Sequence, residues 1–328
     1  MDAGLMKLLA LATLSRYTFR LRPIGRIVLP GFKGIPFRGG FGKALLQTVC
    51  PENVCKQDDC PQLFHCAYSY IFETPVPLDA EVLRLNKNVA HPFIIGLSDD
   101  SRITYEYNDI LEMNLTLIGK AVEYLPYCIL AFERLGMTGI GKGRGKYLVE
   151  SVSTLKDDVE TMVFSGKEKR LSGKGYSVSF ASIMSGREAD RQRWFQKRSL
   201  EITFVTPGRF EYDGEVVTRE LEFHILFRSI LRRLSTLLYF HCNNVTLPID
   251  YKQFIGDAMS VKIDGNNLSW QDYRRYSTRR EKRMTLGGLT GTIRYQGNLE
   301  PFIPFLLLAE YIHVGKSVSF GFGKISVR

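Results

Sequence analysis

Two hydrophobic rhythms alternate along the chain, one repeating every second residue and one every third or fourth. Residues 9–30 alternate or run apolar through Thr18, Phe19, Leu21, Ile24, Ile27, Val28 and Leu29 until Pro30 stops them, which predicts one or two strands. The apolar run at 5–13 is interrupted by Lys7 and lacks a small-residue cleavage pattern, so it is read as the approach to that first strand and not as an export signal. A short helix is predicted over 41–49, strands over 68–74, 92–97, 102–107 and 109–118, and an apolar helix over 122–135. The second half repeats the rhythm. A strand at 200–205 meets a Pro207-Gly208 turn, and 223–240 is the clearest helix, with Phe223, Phe227, Ile230, Leu234, Leu237 and His241 on one stripe. A strand at 289–295, a helix at 301–312 and a closing strand complete it.

The repetition is also visible residue by residue. Shifted by 178 positions, Pro126 falls on Pro304, Tyr127 on Phe305, Ala131 on Ala309, Gly143 on Gly321, Gly145 on Gly323 and Lys146 on Lys324. The beginnings of the halves also resemble each other, Thr18-Phe19 with Pro23 and Thr203-Phe204 with Pro207. A period this long signals a duplicated domain, since a solenoid repeats every few tens of residues. The fold class expected is α+β, two tandem ferredoxin-like βαββαβ domains with a Cys-rich insertion in the first. The boundaries expected are 1–152 with the insert at 50–66, a basic polar connection over 153–198, and 199–328 with a Gly-rich loop at 315–323.

Composition sharpens this. A length of 328 residues suits two domains, and 45% hydrophobic residues suffice for two cores. The formal net charge of +10 favours polyanions, nucleic acid first and an anionic membrane surface second. No stretch approaches the apolar length of a membrane span, so a cytoplasmic protein is expected. The charge is clustered. Between 167 and 198 nine Lys and Arg face three acids, and Arg191 to Arg198 enclose Trp194 and Phe195, a mixture that suits single-stranded nucleic acid or, equally, a linker anchored to a core. Arg274, Arg275, Arg279, Arg280, Lys282 and Arg283 crowd into ten residues beside Tyr273 and Tyr276. Arg38 and Lys43 in a Gly-rich stretch, Lys142, Arg144 and Lys146 in the first Gly loop, and Lys324 in the second are further candidate phosphate ligands, with a solvated surface as the plainer reading of each.

Cys50, Cys55, Cys60 and Cys66 stand within seventeen residues, with His65 beside the last. In a chain read as cytoplasmic, thiols this dense point to a metal ahead of disulfides, and a structural zinc is expected, with an iron–sulfur cluster and free thiols as the other readings. A nucleotide-binding loop is excluded. Gly136 to Lys142 fits its spacing, but Gly143 stands where Ser or Thr must hold magnesium, and the loop runs from helix to strand. No metal-hydrolase or serine-nucleophile constellation is evident.

The tail Gly315-KSVSF-Gly321-Phe322-Gly323 closing a tandem duplication, Phe204-x-Thr206-Pro207 with the Arg232-Arg233 helix, and RYSTRR at 275–280 leading into GGLTG at 287–291 resemble the CRISPR-associated RAMP-superfamily endoribonucleases that cut precursor CRISPR RNA within its repeats. The resemblance is strongest over 200–328. It implies metal-independent cleavage by 2′-hydroxyl attack, leaving a 2′,3′-cyclic phosphate and a 5′-hydroxyl. CRISPR repeat RNA is the partner implied, with other CRISPR effector or adaptation proteins, and neither DNA nor membrane. Many members place a catalytic histidine on or after the first helix of the N-terminal domain, but 41–49 has none. His313 is therefore the expected acid–base residue, with Lys316 stabilising phosphate and Tyr276 assisting. A loop-positioning His313 is the alternative, and His241 and His65 are runners-up. The expected RNA-binding set is Arg38, Lys43, Lys142, Arg144, Lys146, the six cations of 274–283, Gly315, Gly321, Gly323 and Lys324. Two other readings stand beside the nuclease: a non-catalytic RNA-binding RAMP subunit of an effector complex, and a basic protein-interaction scaffold.

Overall fold

The run at the N-terminus is a helix, α1 (Ala3–Leu11), not the approach to a strand, because Leu5 and Leu9 bury one turn apart while Lys7 stays exposed between them. The computed structural model describes residues 3–50, 60, 66–76, 89–97, 101–277 and 282–328, and gives the backbone alone at 195, 274–277 and 282–285. These residues pack into two compact units. One comprises Met1–Ala12, Ser179–Ser235 and Val245–Arg328, and the other Thr13–Val178 and Thr236–Asn244.

The unit holding most of the N-terminal half runs β1 (Thr13–Pro23), β2 (Ile27–Val28), α2 (Gly34–Val49), β3 (Phe93–Leu97), β4 (Thr104–Tyr105), β5 (Leu111–Ile118), α3 (Leu125–Thr138), β6 (Tyr147–Lys156), β7 (Val159–Ser165) and β8 (Arg170–Leu171). The sheet order β3-β5-β1-β6, antiparallel throughout, is the ferredoxin-like order, and β7 and β8 extend its edge. Asp157 and Asp158 both take positive φ, 47° and 63°, closing the two-residue β6–β7 turn. Alternation on β1 sends Tyr17, Phe19 and Leu21 inward, where Phe19 meets Phe132 of α3 at 5.0 Å and Phe132 stacks on Phe41 of α2 at 4.8 Å. Three expectations change here. Residues 68–74, read as a strand, form a helical turn at Ser69–Glu73 that buries Ile71. The Gly-rich stretch before 41 belongs to α2, because its glycines admit close neighbours: a Cβ on Gly40 would lie 2.5 Å from Leu135, and one on Gly42 2.1 Å from Phe72. The expected strand at 102–107 shrinks to β4, which pairs with β2.

From Val178 onward the chain forms β9 (Val178–Ser179), α4 (Phe180–Ser185), α5 (Glu188–Lys197), β10 (Ser199–Gly208), β11 (Glu211–Tyr212), β12 (Glu215–Val216), α6 (Phe223–His241), α7 (Tyr251–Met259), β13 (Lys262–Ser277), β14 (Lys282–Gln296), α8 (Ile303–Ile312) and β15 (Ile325–Val327). The order β13-β14-β10-β15 is again ferredoxin-like. Phe223, Phe227, Phe302 and Phe305 interlock over Tyr295 of β14, with ring centroids 4.6–5.6 Å apart for Phe223–Tyr295, Phe227–Phe302 and Phe227–Phe305. The buried Tyr295 hydroxyl donates to Leu221 O at 2.7 Å. Tyr295→Phe should therefore cost about 1–3 kcal/mol, since a buried carbonyl loses its donor; a denaturant midpoint unchanged from the parent would contradict this.

The duplication is exact in register at the loops. Leu125 and Ile303 open α3 and α8, and Tyr147 and Ile325 open β6 and β15, each pair 178 residues apart. Gly143 and Gly321 carry matching φ values of 80° and 88°. Thr18-Phe19 and Thr203-Phe204 lie on β1 and β10, the first core strand of each repeat, which is paired on both sides within its own sheet.

Candidate nucleic-acid interface

The C-terminal Gly-rich loop is a closed structure. His313 opens it at φ 57° and, 8% exposed, donates Nδ1–H to Phe322 O at 3.1 Å, while Val314 N bonds Gly323 O at 2.9 Å. Gly315 N reaches Ser229 Oγ of α6 at 3.1 Å, Lys316 N reaches Arg209 O at 2.7 Å, and Gly323 N reaches Pro207 O at 2.8 Å. Thr206 Oγ1 donates to Gly321 O at 2.7 Å and accepts from Lys324 N at 2.8 Å. Arg233, buried, donates Nε–H to Ile312 O at 2.7 Å; burial pushes its guanidinium down to about 9, still charged at neutral pH.

These bonds redefine the glycines. The loop was expected to present its backbone to phosphate, yet Gly321 and Gly323 are buried and their N–H groups are spent on closing the loop. Gly323 is needed because a Cβ there would fall 1.8 Å from Val314 O. Only the tip near Gly315–Ser317 reaches the surface, with Lys316 exposed and paired with Glu211 on β11. His313 has the geometry of the loop-positioning alternative, bonding backbone across the loop.

Around that tip stand residues absent from the sequence reading. Arg209 spans Glu211 at 3.9 Å, Gly287 O at 3.3 Å and the Trp270 ring at 5.8 Å. Arg228 lies 5.6 Å from the centroid of Tyr212, whose ring meets His224 edge-on at 5.3 Å, and His224 Nδ1 is 3.2 Å from Glu222 Oε2. The signal available for them was helical: His224 and Arg228 are one turn apart on α6, flanking the Phe223–Phe227 stripe. Tyr273 packs on Phe322 at 6.1 Å, which ties the β13–β14 hairpin to the loop, and burial raises its hydroxyl pKa. Farther along that hairpin Arg274 pairs in register with Thr285, Arg275 with Met284, Tyr276 with Arg283, and Ser277 with Lys282, while Arg279 and Arg280 lie outside the described residues.

The other predicted residues divide. Lys142, Arg144 and Lys146 of the first Gly loop are exposed, with no ion pair among the described residues, on a backbone pinned by Lys142 N to Val28 O at 2.8 Å, Ile140 N to Gly145 O at 2.9 Å and Ile24 N to Lys146 O at 2.9 Å. Lys43 is exposed on α2, but Arg38 is packed over Phe72 at 4.0 Å, and Lys324 is half-buried. In the connection the plainer reading holds: Trp194 is 2% exposed under Arg187, and Arg187, Arg191 and Arg193 are paired with Asp190, Glu188 and Glu310. His241 bonds Tyr70 Oη at 3.0 Å and Ala90 O at 2.9 Å, a structural placement. Cys55 and His65 lie outside the described residues; among the described ones no group of three or more His, Cys, Asp or Glu is placed to hold a metal, and no helix is long and apolar enough to cross a membrane.

A family model described as an N-terminal domain matches residues 11–175, and that of the CRISPR-associated endoribonuclease Cas6 matches residues 202–325, the Gly-rich loop included. Over residues 202–325 the chain is similar to the CRISPR-associated Cas6 endoribonucleases. An uncharacterized protein of Archaeoglobus fulgidus is 26% identical over 309 residues, 92% of this chain and 93% of the relative. Cas6 of Thermus thermophilus superposes with a TM-score of 0.53 at 13% identity, over 97% of this chain and 99% of that one. A partial Cas6-RT-Cas1–Cas2 complex gives 0.56 at 14% identity, over 97% of this chain and 46% of the other. At such identities the likeness is one of fold, and it agrees with the double ferredoxin-like architecture of this chain.

Proposed function

We propose that this chain cuts precursor CRISPR RNA within its repeats, the 2′-hydroxyl of one nucleotide attacking its own phosphate to leave a 2′,3′-cyclic phosphate and a 5′-hydroxyl. The nucleophile is already part of the substrate, so the reaction needs a base, a proton for the leaving oxygen and fixed positive charge near phosphorus, and none of these requires a metal. The observation that carries the reading is the clamped loop at 313–324, which holds Lys316 at an exposed tip beside Arg228 and Arg209. Cations fixed before the substrate arrives stabilise developing phosphate charge without reorganising. Exposed Lys142, Arg144 and Lys146 supply a further grip on the RNA backbone. A second reading, RNA binding without cleavage, has one observation in its favour: α2, where the family resemblance puts a catalytic histidine, contains none. Incubation with labelled CRISPR repeat RNA in EDTA separates them. A discrete product ending in a cyclic phosphate is expected; binding without cutting would transfer the chain to the second reading, and the absence of both binding and cutting would sink the two together.

A further inference from the structure

His224 sits at the second position of α6 and is 7% exposed. The carboxylate of Glu222 lies 3.2 Å from Nδ1 and can only accept, so a neutral imidazole that donates to it from Nδ1 carries its lone pair on Nε2. Among the described residues Nε2 has no hydrogen-bond partner. A buried acceptor left this way costs stability, and packing alone gives no reason to place an imidazole there. The Tyr212 ring, on the small β11–β12 hairpin, packs edge-on against the imidazole with ring centroids 5.3 Å apart. Two cations latch that hairpin: Lys316 pairs with Glu211, and Arg228 lies over Tyr212 at 5.6 Å. Glu211 and Tyr212 are the two residues of β11, so releasing one moves the other.

Resting on the RNA-cleavage reading, we propose that His224 is its general base, uncovered when RNA phosphate draws Lys316 from Glu211 and Arg228 from Tyr212. A phosphate offers each cation a charge-assisted hydrogen bond, against an exposed carboxylate for Lys316 and a π face for Arg228. With the ring displaced, Nε2 takes the proton of the 2′-hydroxyl, O2′ bonds to phosphorus, the P–O5′ bond breaks and O5′ takes a proton from water. Hydroxide from that water then accepts the imidazolium proton, restoring both. Glu222 keeps the tautomer in which Nε2 is free to accept and stabilises the imidazolium.

The experiment compares wild-type protein, His224→Ala, His313→Ala and Tyr212→Ala on one labelled CRISPR repeat RNA. His224→Ala should lower the cleavage rate ~10²-fold or more with RNA binding retained, and imidazole in the buffer should restore part of that rate, which a merely structural histidine would not allow. Tyr212→Ala, which leaves the imidazole in place, should speed diethyl pyrocarbonate modification of His224 over wild type. Wild-type cleavage by His224→Ala, rescue by imidazole of His313→Ala alone, or equal modification rates with and without Tyr212 would overturn the assignment while leaving the nuclease reading intact. A wild-type protein that cuts no repeat RNA overturns both.

Discussion

Gly323→Ala should destabilise the unit that holds the Gly-rich loop by about 3–5 kcal/mol, combining left-handed backbone strain with overpacking. The residue sits at φ 71°, and a Cβ would be driven to 1.8 Å from Val314 O, a carbonyl that cannot step aside. Val314 N in turn bonds Gly323 O at 2.9 Å, and Gly323 N holds Pro207 O at 2.8 Å, so any displacement breaks the closure of the loop and its attachment to β10. Two controls isolate the cause. Gly143→Ala, at φ 80° with nothing within 4 Å of its Cβ, carries the backbone strain alone and should cost about 1–2 kcal/mol. Gly39→Ala, inside α2 with open space around it and no positive φ, should be neutral or stabilising by up to about 1 kcal/mol. Denaturant midpoints at constant slope give the ranking. If Gly323→Ala melts with the parent, the loop is not the locked body described, and the preorganisation of Lys316 loses its basis.

Element type and order were legible because the hydrophobic period states them directly. The stripe Phe223, Phe227, Ile230, Leu234, Leu237 could only be one helix face, and Pro126 and Pro304 mark the same helical position 178 residues apart. The failures have a common physical source, which is that a residue's local signal is silent about its neighbours in space. Gly40 and Gly42 look like loop punctuation until Leu135 and Phe72 occupy the room their missing side chains leave. Trp194 among arginines looks like a stacking platform until the acids of its own helix and Glu310 neutralise the cations. The Gly-rich tail reads as backbone offered to a ligand until folding engages the Gly321 and Gly323 N–H groups within the loop and with Pro207, leaving the side chains around its tip as the exposed groups. His224 was invisible for the same reason: its surroundings come from Glu222 and Tyr212, and only folding of β11 against α6 brings Tyr212 there.

Changing Lys142, Arg144 and Lys146 together to Gln should weaken repeat-RNA binding and flatten its salt dependence. Counterion release makes the logarithm of affinity fall linearly with the logarithm of salt, with a slope of about 0.7 per single-strand phosphate neutralised, so leaving three phosphates without their cations takes about 2 from the slope. A wild-type chain that neutralises roughly six to ten phosphates should lose about 3 × 10²- to 2 × 10⁴-fold in affinity between about 50 and about 200 mM salt. The first Gly loop is the informative place to cut because its three cations are exposed, have no ion pair among the described residues, and ride on a backbone fixed by hydrogen bonds to Val28 and Ile24, so their removal leaves the fold untouched. The matched control is Arg187, Arg191 and Arg193 changed to Gln. Those arginines are engaged with Glu188, Asp190 and Glu310, and their loss should leave the salt slope nearly unchanged while lowering the melting temperature. Should both triple variants shift the slope equally, overall charge and not the placement of exposed cations would govern binding, and the first Gly loop would have no specific part in gripping RNA.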